Sequence, residues 1–119
     1  MDGQVDLGKY GEDLATRYLR DRGLEVLERN WRCAEGEIDL VALDGSCLVV
    51  CEVKTRRGTG MGDPLEAVTW AKARRLRRLA AVYLRSRPGP VPEVRIDVIG
   101  IVAEPGRRPV LRHVVAVGS

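Results

Sequence analysis

The chain contains the stretch Gly36-Glu37-Ile38-Asp39-Leu40-Val41-Ala42-Leu43-Asp44-Gly45-Ser46-Cys47-Leu48-Val49-Val50-Cys51-Glu52-Val53-Lys54, which decides the fold. Two apolar runs rich in β-branched residues flank an Asp-Gly dipeptide, and this pattern strongly indicates a β-hairpin. The stretch therefore predicts two antiparallel strands joined by a two-residue turn at Asp44-Gly45. It also places charged side chains inside segments that are otherwise apolar.

The predicted turn fixes which side chains share a face of the hairpin. With Leu43 opposite Ser46, the register sets Asp39 opposite Val50 and Glu37 opposite Glu52. Because side chains alternate along a strand, one face then carries the charged groups of the hairpin. These groups are Glu37, Asp39, Glu52 and Lys54. A slip of one residue would send Asp39 and Glu52 to opposite faces, so this prediction depends on the register.

Charged groups in core strands need a partner, because an unpaired buried carboxylate costs several kcal/mol or takes up a proton. Asp39 and Glu52, as diagonal neighbours, could share a divalent cation. Lys54 could then orient or deprotonate an attacking water, or stabilise the charge that develops on a phosphate. A purely structural ion pair between lysine and glutamate at the end of a sheet explains the same residues. The hairpin alone leaves both interpretations open.

The composition predicts a single domain over residues 1–119, with 45% hydrophobic and 31% charged residues. No apolar run approaches the ~18 residues that a membrane span requires, and the N-terminus lacks the apolar region of a secretory signal, so a cytoplasmic location without membrane association is expected. There is one histidine and no Cys-x-x-Cys spacing. These features argue against a structural zinc site, and they indicate that any metal is bound by oxygen.

The net charge of +3 conceals an asymmetry along the chain. Residues 1–63 carry nine basic and 13 acidic side chains, whereas residues 64–119 carry 11 basic and four acidic ones. A basic surface beside a carboxylate cluster suits a metal-dependent enzyme that acts on a polyanion, although ordinary solvated charge explains the same composition. Only five residues are aromatic, so a protein that binds single strands by base stacking is disfavoured.

Hydrophobic periodicity predicts the remaining elements. Helices are expected over residues 8–22 and 64–86, the second with Asp63 as its N-cap and Pro64 in its first turn. Further strands are expected over residues 24–30, 94–102 and 110–117. The order of elements, with central strands apolar on both faces, predicts an α/β fold in which helices flank a mixed sheet.

The second predicted helix carries basic residues on two sides. Lys72 lies on the core-facing stripe with Leu76, and either its stem snorkels past the core or its ammonium reaches the charged face of the hairpin. The outward side carries Arg74, Arg77 and Arg78. These arginines fit either a solvated helix face or a phosphate-binding ridge. His113, in the last predicted strand, has no evident partner and is given no role.

The combination of Glu52-Val53-Lys54, Asp39 in the preceding strand and Glu12 in the first helix resembles a known metal-binding core. It is the core of the restriction-endonuclease-like superfamily, especially of archaeal-type Holliday junction resolvases. Over residues 8–102 the chain looks more specifically like the small bacterial YraN-like family. The residues that carry this resemblance are Gly11-Glu12-Asp13-Leu14-Ala15, Arg29-Asn30, Gly36-Glu37-Ile38-Asp39-Leu40, Glu52-Val53-Lys54-Thr55-Arg56, Ala67-Val68, Lys72 and Arg95-Ile96-Asp97-Val98.

The resemblance implies a helix-strand-strand-strand-helix-strand core, here with an extra C-terminal strand. In the nuclease relatives it implies hydrolysis of phosphodiester bonds with Mg²⁺ or Mn²⁺. Carried over to this chain, the metal ligands are Asp39, Glu52 and the Val53 carbonyl. Lys54 activates water or stabilises charge, and Glu12 is an accessory acid. The chain departs from the nuclease pattern at Ile38, where a proline often precedes the first catalytic aspartate.

Two functional hypotheses follow from the sequence. The first is a small endonuclease dependent on Mg²⁺ or Mn²⁺ that acts on DNA, with branched DNA favoured. The second is a nucleic-acid-binding or protein-interaction module that keeps the nuclease fold without efficient catalysis. Backbone contacts are expected from Arg56, Arg57, Lys72, Arg74, Arg77 and Arg78. A homodimer is also considered, since junction resolvases pair two sites, but nothing in the sequence identifies the interface.

Overall fold

Two helices and five strands make up the fold of the computed structural model, which describes residues 6–58, 60, 62–67, 69–90 and 93–118. In chain order they are α1 (Leu7–Asp21), β1 (Glu25–Cys33), β2 (Gly36–Asp44), β3 (Cys47–Arg56), a short 3-10 helix (Pro64–Ala67), α2 (Trp70–Arg85), β4 (Glu93–Val102) and β5 (Val110–Val114). None of the described helices is long and apolar enough to cross a membrane.

The strands form one mixed sheet in the order β1-β2-β3-β4-β5. Only β3 and β4 run parallel, because α2 carries the chain back across the sheet between them, and the other neighbours are antiparallel. Helix α1 packs on one face and α2 on the other. This architecture confirms the predicted α/β fold, with a restriction-endonuclease-like core and an extra C-terminal strand.

The central strands are buried on both faces, as their continuous apolar sequences predict. Toward α1 they present Leu40, Ala42, Val49, Cys51, Ile99 and Ile101. Toward α2 they present Val41, Leu48, Val50 and Ile96. Each helix therefore covers its own apolar layer. A charged group between a helix and the sheet lies in apolar surroundings and needs a polar partner.

The hairpin turn lies one residue further along the chain than predicted. Gly45 and Ser46 form the turn, and Val41 pairs with Val50, so the predicted pairing of Asp39 with Val50 is wrong. The physical reason is the backbone at Gly45, whose φ of 60° suits glycine at the first central position of a tight hairpin turn. A turn that moves by one residue changes the strand pairing by two residues, so Asp39 and Glu52 stay on a common face.

Strand β1 continues to Cys33, beyond the predicted end at residue 30. Asn30 adopts a left-handed conformation, with φ of 52°, inside the strand. The side chains change faces at this point: Arg29 binds Asp13 of α1, whereas Trp31 packs edge-on against a tyrosine of α2. The sequence does not reveal this irregularity, which lies beside Asp39 because Asn30 falls between the residues paired with Leu40 and Ile38.

The predicted helix over residues 64–86 begins too early. A 3-10 helix spans Pro64–Ala67, and α2 begins only at Trp70. Thr69 caps α2 by accepting a hydrogen bond from the Lys72 amide at 3.2 Å, whereas Asp63 accepts from the Leu65 amide at 2.9 Å. Aspartate followed by proline suits the start of either kind of helix, so the sequence pattern did not separate them.

The last strand is shorter than predicted, ending at Val114 instead of residue 117. Ala116 has a left-handed backbone, with φ of 58°, and its amide donates to the Asp97 carboxylate at 3.0 Å. The amide of Val117 donates to the Ile96 carbonyl at 2.7 Å. These bonds turn the chain out of the sheet after Val114.

Helix α1 approaches β3 closely at Gly11. A Cβ atom added to Gly11 would lie 1.8 Å from the Thr55 hydroxyl oxygen, so the absence of a side chain permits this contact. Glycine in a helix interior costs up to about 1 kcal/mol relative to alanine, and here the close packing explains its presence. The next residue, Glu12, is thereby held near the polar groups of the sheet.

Candidate active site

A cleft of about 190 Å³ lies between the sheet and α2. Its lining residues combine acidic groups of β2 and β3 with basic and apolar groups of α2: Glu37, Asp39, Glu52, Lys72, Arg75, Leu76 and Leu79. Three of the four residues that the hairpin register placed on one face therefore line a common cleft. The fourth, Lys54, joins them through Glu52, whose carboxylate oxygen lies 3.6 Å from the Lys54 ammonium nitrogen.

Asp39 and Glu52 form the acidic centre of the cleft. Glu52 is only 7% exposed, and one oxygen of Asp39 accepts a hydrogen bond of 2.8 Å from the Val53 amide. Burial, followed by the negative charges of Glu52 and Glu12, raises the pKa of Asp39 to about 7, although the Val53 amide opposes the shift. Two neighbouring carboxylates in this setting favour binding of a cation or a proton.

Two lysines from different elements approach Glu52. Lys72 of α2 makes a direct ion pair with the same Glu52 oxygen that Lys54 approaches. Of the two interpretations of Lys72, the structure supports the one in which the ammonium reaches the charged face. Burial lowers the pKa of Lys72, but contact with Glu52 outweighs burial and raises it above its ordinary value. Lys72 is therefore a cation within the cleft.

Glu12 and Glu37 lie at the margin of this centre. The Asn30 amide nitrogen donates to Glu12 at 2.9 Å, and Arg32 donates to Glu37 at 3.0 Å. A second, more open cleft between α1 and β1 is lined by both acids and meets the first cleft at Glu37. The negative charge of Glu12 thus contributes to the raised pKa of Asp39, but Glu12 does not line the first cleft.

The basic residues expected to contact nucleic acid are dispersed. Arg57, Arg74 and Arg78 are exposed, and Arg77 is partly buried. None of these lines the first cleft, whereas Arg75, which sequence reasoning missed, does. Arg75 follows Lys72 by three residues and so lies on the same side of α2, which is the signal that could have identified it.

Arg56 lies two residues beyond Lys54 on β3, and alternation along the strand places both on the face of Glu52. Its Nε atom is buried and has no hydrogen-bond partner among the residues that the structure describes. Buried polar atoms are usually paired, so an unpaired guanidinium nitrogen in this position suits an anionic ligand.

The donor set fits Mg²⁺ or Mn²⁺ better than it fits a closed structural metal site. Within the described part of the chain, no group of three or more histidine, cysteine, aspartate or glutamate side chains converges in a metal-binding arrangement. Mg²⁺ is commonly bound by one or two carboxylates, while water and substrate phosphate supply the other ligands. Asp39 and Glu52 match that requirement, and the pKa of Asp39, raised first by burial and then by the charge of Glu52, shows that an ionised carboxylate pair here would be stabilised by a cation.

A second buried polar cluster lies on the α1 face of the sheet. The Asp97 carboxylate, which is fully buried, accepts hydrogen bonds from Arg95 at 2.9 and 3.1 Å and contacts His113 Nε2 at 2.8 Å. The other ring nitrogen of His113 lies 3.1 Å from the Tyr18 hydroxyl. Sequence reasoning missed the partners of His113. The available signal was a lone aspartate in an apolar strand, the same anomaly that drew attention to Asp39.

The raised pKa of Asp39 predicts an unusual dependence of stability on pH in the absence of metal. A carboxyl whose pKa is higher in the folded chain than its ordinary 3.8 stabilises the fold at low pH, and this contribution is lost as the pH rises through about 7. Asp39→Asn removes the titration. From pH 5 to pH 8 we expect the free energy of unfolding of the wild type to fall by on the order of 2 kcal/mol relative to that of the variant.

Urea unfolding at pH 5 and pH 8 in EDTA measures this difference. The variant should gain stability relative to the wild type as the pH rises. If the free energy of unfolding changed equally with pH in the two proteins, Asp39 would titrate as an ordinary surface carboxyl, and the prediction would be contradicted.

Comparison with known proteins assigns a family. A family model described as "Uncharacterised protein family UPF0102" matches residues 11–101. Relatives described as "UPF0102 protein" include one from Nocardia farcinica, 51% identical over 93% of this chain and 87% of the relative. Others come from Streptomyces griseus, 53% identical over 95% and 96% of the two chains, and Rhodococcus opacus, 51% identical over 96% and 97%. These descriptions name no reaction, ligand or partner.

Proposed function

Since the chain belongs to the UPF0102 (YraN-like) family, whose description leaves the reaction open, we propose from the chemistry of the site that the protein is a metal-dependent endonuclease acting on DNA. The observation that supports this most is the buried pair of carboxylates, Asp39 and Glu52, in a cleft that also receives lysines from β3 and α2. Paired carboxylates can hold the divalent ion that metal-assisted phosphodiester hydrolysis uses, and a neighbouring lysine can stabilise the charge that develops on the phosphate.

Each group has a distinct role in this proposal. Asp39, Glu52 and the Val53 carbonyl would hold Mg²⁺ or Mn²⁺, which would supply Lewis-acid polarisation of the phosphate and activation of water. Lys54 lies 3.6 Å from Glu52, with its side chain 35% exposed, where it can orient water or stabilise developing charge on phosphate. Glu12, whose charge acts on Asp39 across the margin of the cleft, is the accessory acid.

The charge distribution supports a nucleic acid as the substrate. The Arg56 and Arg57 pair follows Lys54 after one intervening threonine, and the unpaired Nε of Arg56 suits a phosphate oxygen. Helix α2 adds Lys72 and Arg75 at the cleft, and the exposed Arg74 and Arg78 extend its positive charge. These residues can hold a phosphate backbone without reading bases, so a preference for DNA structure, such as a branch, is more consistent with the site than a preference for sequence.

The proposal is tested by incubating the purified full chain with labelled four-way junctions, flaps and linear duplexes of the same sequence. We expect cleavage in Mn²⁺ or Mg²⁺ and none in EDTA, with branched DNA cut faster than the linear duplex. Equal product with and without the divalent ion would refute a metal-dependent reaction.

A DNA-binding module without efficient catalysis is the second candidate. One observation favours it: two lysines approach Glu52, so the carboxylate is compensated without any metal. This alternative predicts salt-sensitive binding of junction DNA that survives Asp39→Asn, together with no product under any metal condition. Gel-shift titrations at two salt concentrations, run beside the cleavage assay, distinguish the two functions.

A further inference from the structure

Of the two lysines that form ion pairs with Glu52 in the described part of the chain, Lys72 lies closer to its carboxylate. Its ammonium makes a direct ion pair with a Glu52 oxygen, whereas the Lys54 ammonium lies 3.6 Å from that same atom. The ion pair that Lys72 makes with Glu52 is therefore closer than the one that Lys54 makes. The two lysines also differ in origin, since Lys54 extends β3 and Lys72 belongs to α2, which is separate from the strands that carry the carboxylates.

An ammonium and a divalent ion cannot share this carboxylate without cost. Two cations a few ångströms apart repel each other strongly where water is partly excluded, and Glu52 has only 9% of its side chain exposed. A metal ion that binds Glu52 must therefore displace the Lys72 ammonium or weaken its ion pair. Lys72 has room to move, because 30% of its side chain is exposed and its four-carbon stem is flexible.

We propose that Lys72 is an internal counter-cation that competes with the divalent metal for Glu52 and thereby sets the metal affinity of the site. This inference rests on the proposed function, because it takes Glu52 to be a metal ligand. The ammonium holds the carboxylate in position before metal binds. Once displaced, it remains beside the cleft on α2, where it can bind a substrate phosphate.

Calorimetric titration of Mn²⁺ into the full chain at pH 8, without DNA, tests the proposal. Lys72→Met keeps most of the aliphatic stem and removes the charge, and we expect it to bind Mn²⁺ about tenfold more tightly than the wild type. Lys54→Met is the matched control, since it removes the same charge from the lysine with the weaker contact to Glu52. Its gain in affinity should be clearly smaller.

The Mn²⁺ affinities of the three proteins, read beside the cleavage assay, decide between competition at Glu52 and its alternatives. Unchanged or weaker Mn²⁺ binding by Lys72→Met, in a variant whose thermal unfolding shows it to be folded, overturns the inference while leaving the metal site intact. An equal gain in both variants also overturns it, because general electrostatics would then explain the change. Absence of Mn²⁺ binding by all three proteins rejects the metal site itself and this inference with it. Tighter binding by Lys72→Met without DNA cleavage supports the competition and rejects the nuclease.

Discussion

Glu52→Gln is expected to lower the rate of Mn²⁺-dependent DNA cleavage by about 10³-fold or more, because it removes the charge of a metal ligand at the centre of the cleft. Glutamine has the same shape as glutamate, so the packing around β3 should be retained. Only 7% of Glu52 is exposed, and two lysines approach its carboxylate. Loss of this charge therefore leaves two ammonium groups beside the position that the metal would take.

Single-turnover cleavage of the preferred DNA measures this effect, since it separates the chemical step from product release. Glu35→Gln is the matched control, because it makes the same chemical change at an exposed residue between β1 and β2. We expect this control to cleave at the wild-type rate. A Glu52→Gln protein that cleaves as fast as the wild type would remove Glu52 from the reaction and reject the proposed site.

The common face of Asp39 and Glu52 could be predicted although the turn was misplaced. Side chains alternate along a strand with a period of two residues. A turn that moves by one residue shifts the pairing by two residues, so every side chain stays on the same face. The common face was therefore predicted correctly, although a pairing shifted by a single residue would have separated the two carboxylates. The approach of Lys72 to Glu52 was one of two open interpretations, because a core-facing lysine position does not specify where the ammonium ends.

Other features depend on contacts between distant parts of the chain. The network around Asp97 joins β4, β5 and α1, and no local pattern indicates that His113 will lie between Asp97 and Tyr18. The left-handed backbone at Asn30 is similarly invisible in a run that otherwise favours a strand. Such features arise only when the sheet is assembled, whereas helices and strands are indicated by local periodicity. The architecture could therefore be predicted more fully than the polar network around Asp97.

Asp97→Ala is expected to have the largest effect on stability, lowering the free energy of unfolding by about 3 to 5 kcal/mol. Asp97 is fully buried, and its carboxylate receives Arg95, His113 and the Ala116 amide. Arg95 donates hydrogen bonds to Asp97 that raise the pKa of its guanidinium, and an arginine remains charged even when such bonds are lost. Alanine would remove this acceptor from His113, from the Ala116 amide and from Arg95, which would keep its contact with Asp44, and the loss of an acceptor is costly for buried polar groups.

Urea unfolding of the full chain, with the wild type and Asp13→Ala in parallel, tests whether burial causes this effect. Asp13 binds Arg29 at 2.6 Å and Lys9 at 3.1 Å, yet 39% of its side chain is exposed, so water can replace the lost contacts and only a small change is expected. Asp97 has no such replacement, and its loss also removes the Ala116 hydrogen bond, one of the two described bonds that hold the segment after β5. If both alanine variants unfold at the same urea concentration, the Asp97 network contributes no more than a surface ion pair, and the anchoring of β5 must come from its valines and its ladder with β4 alone.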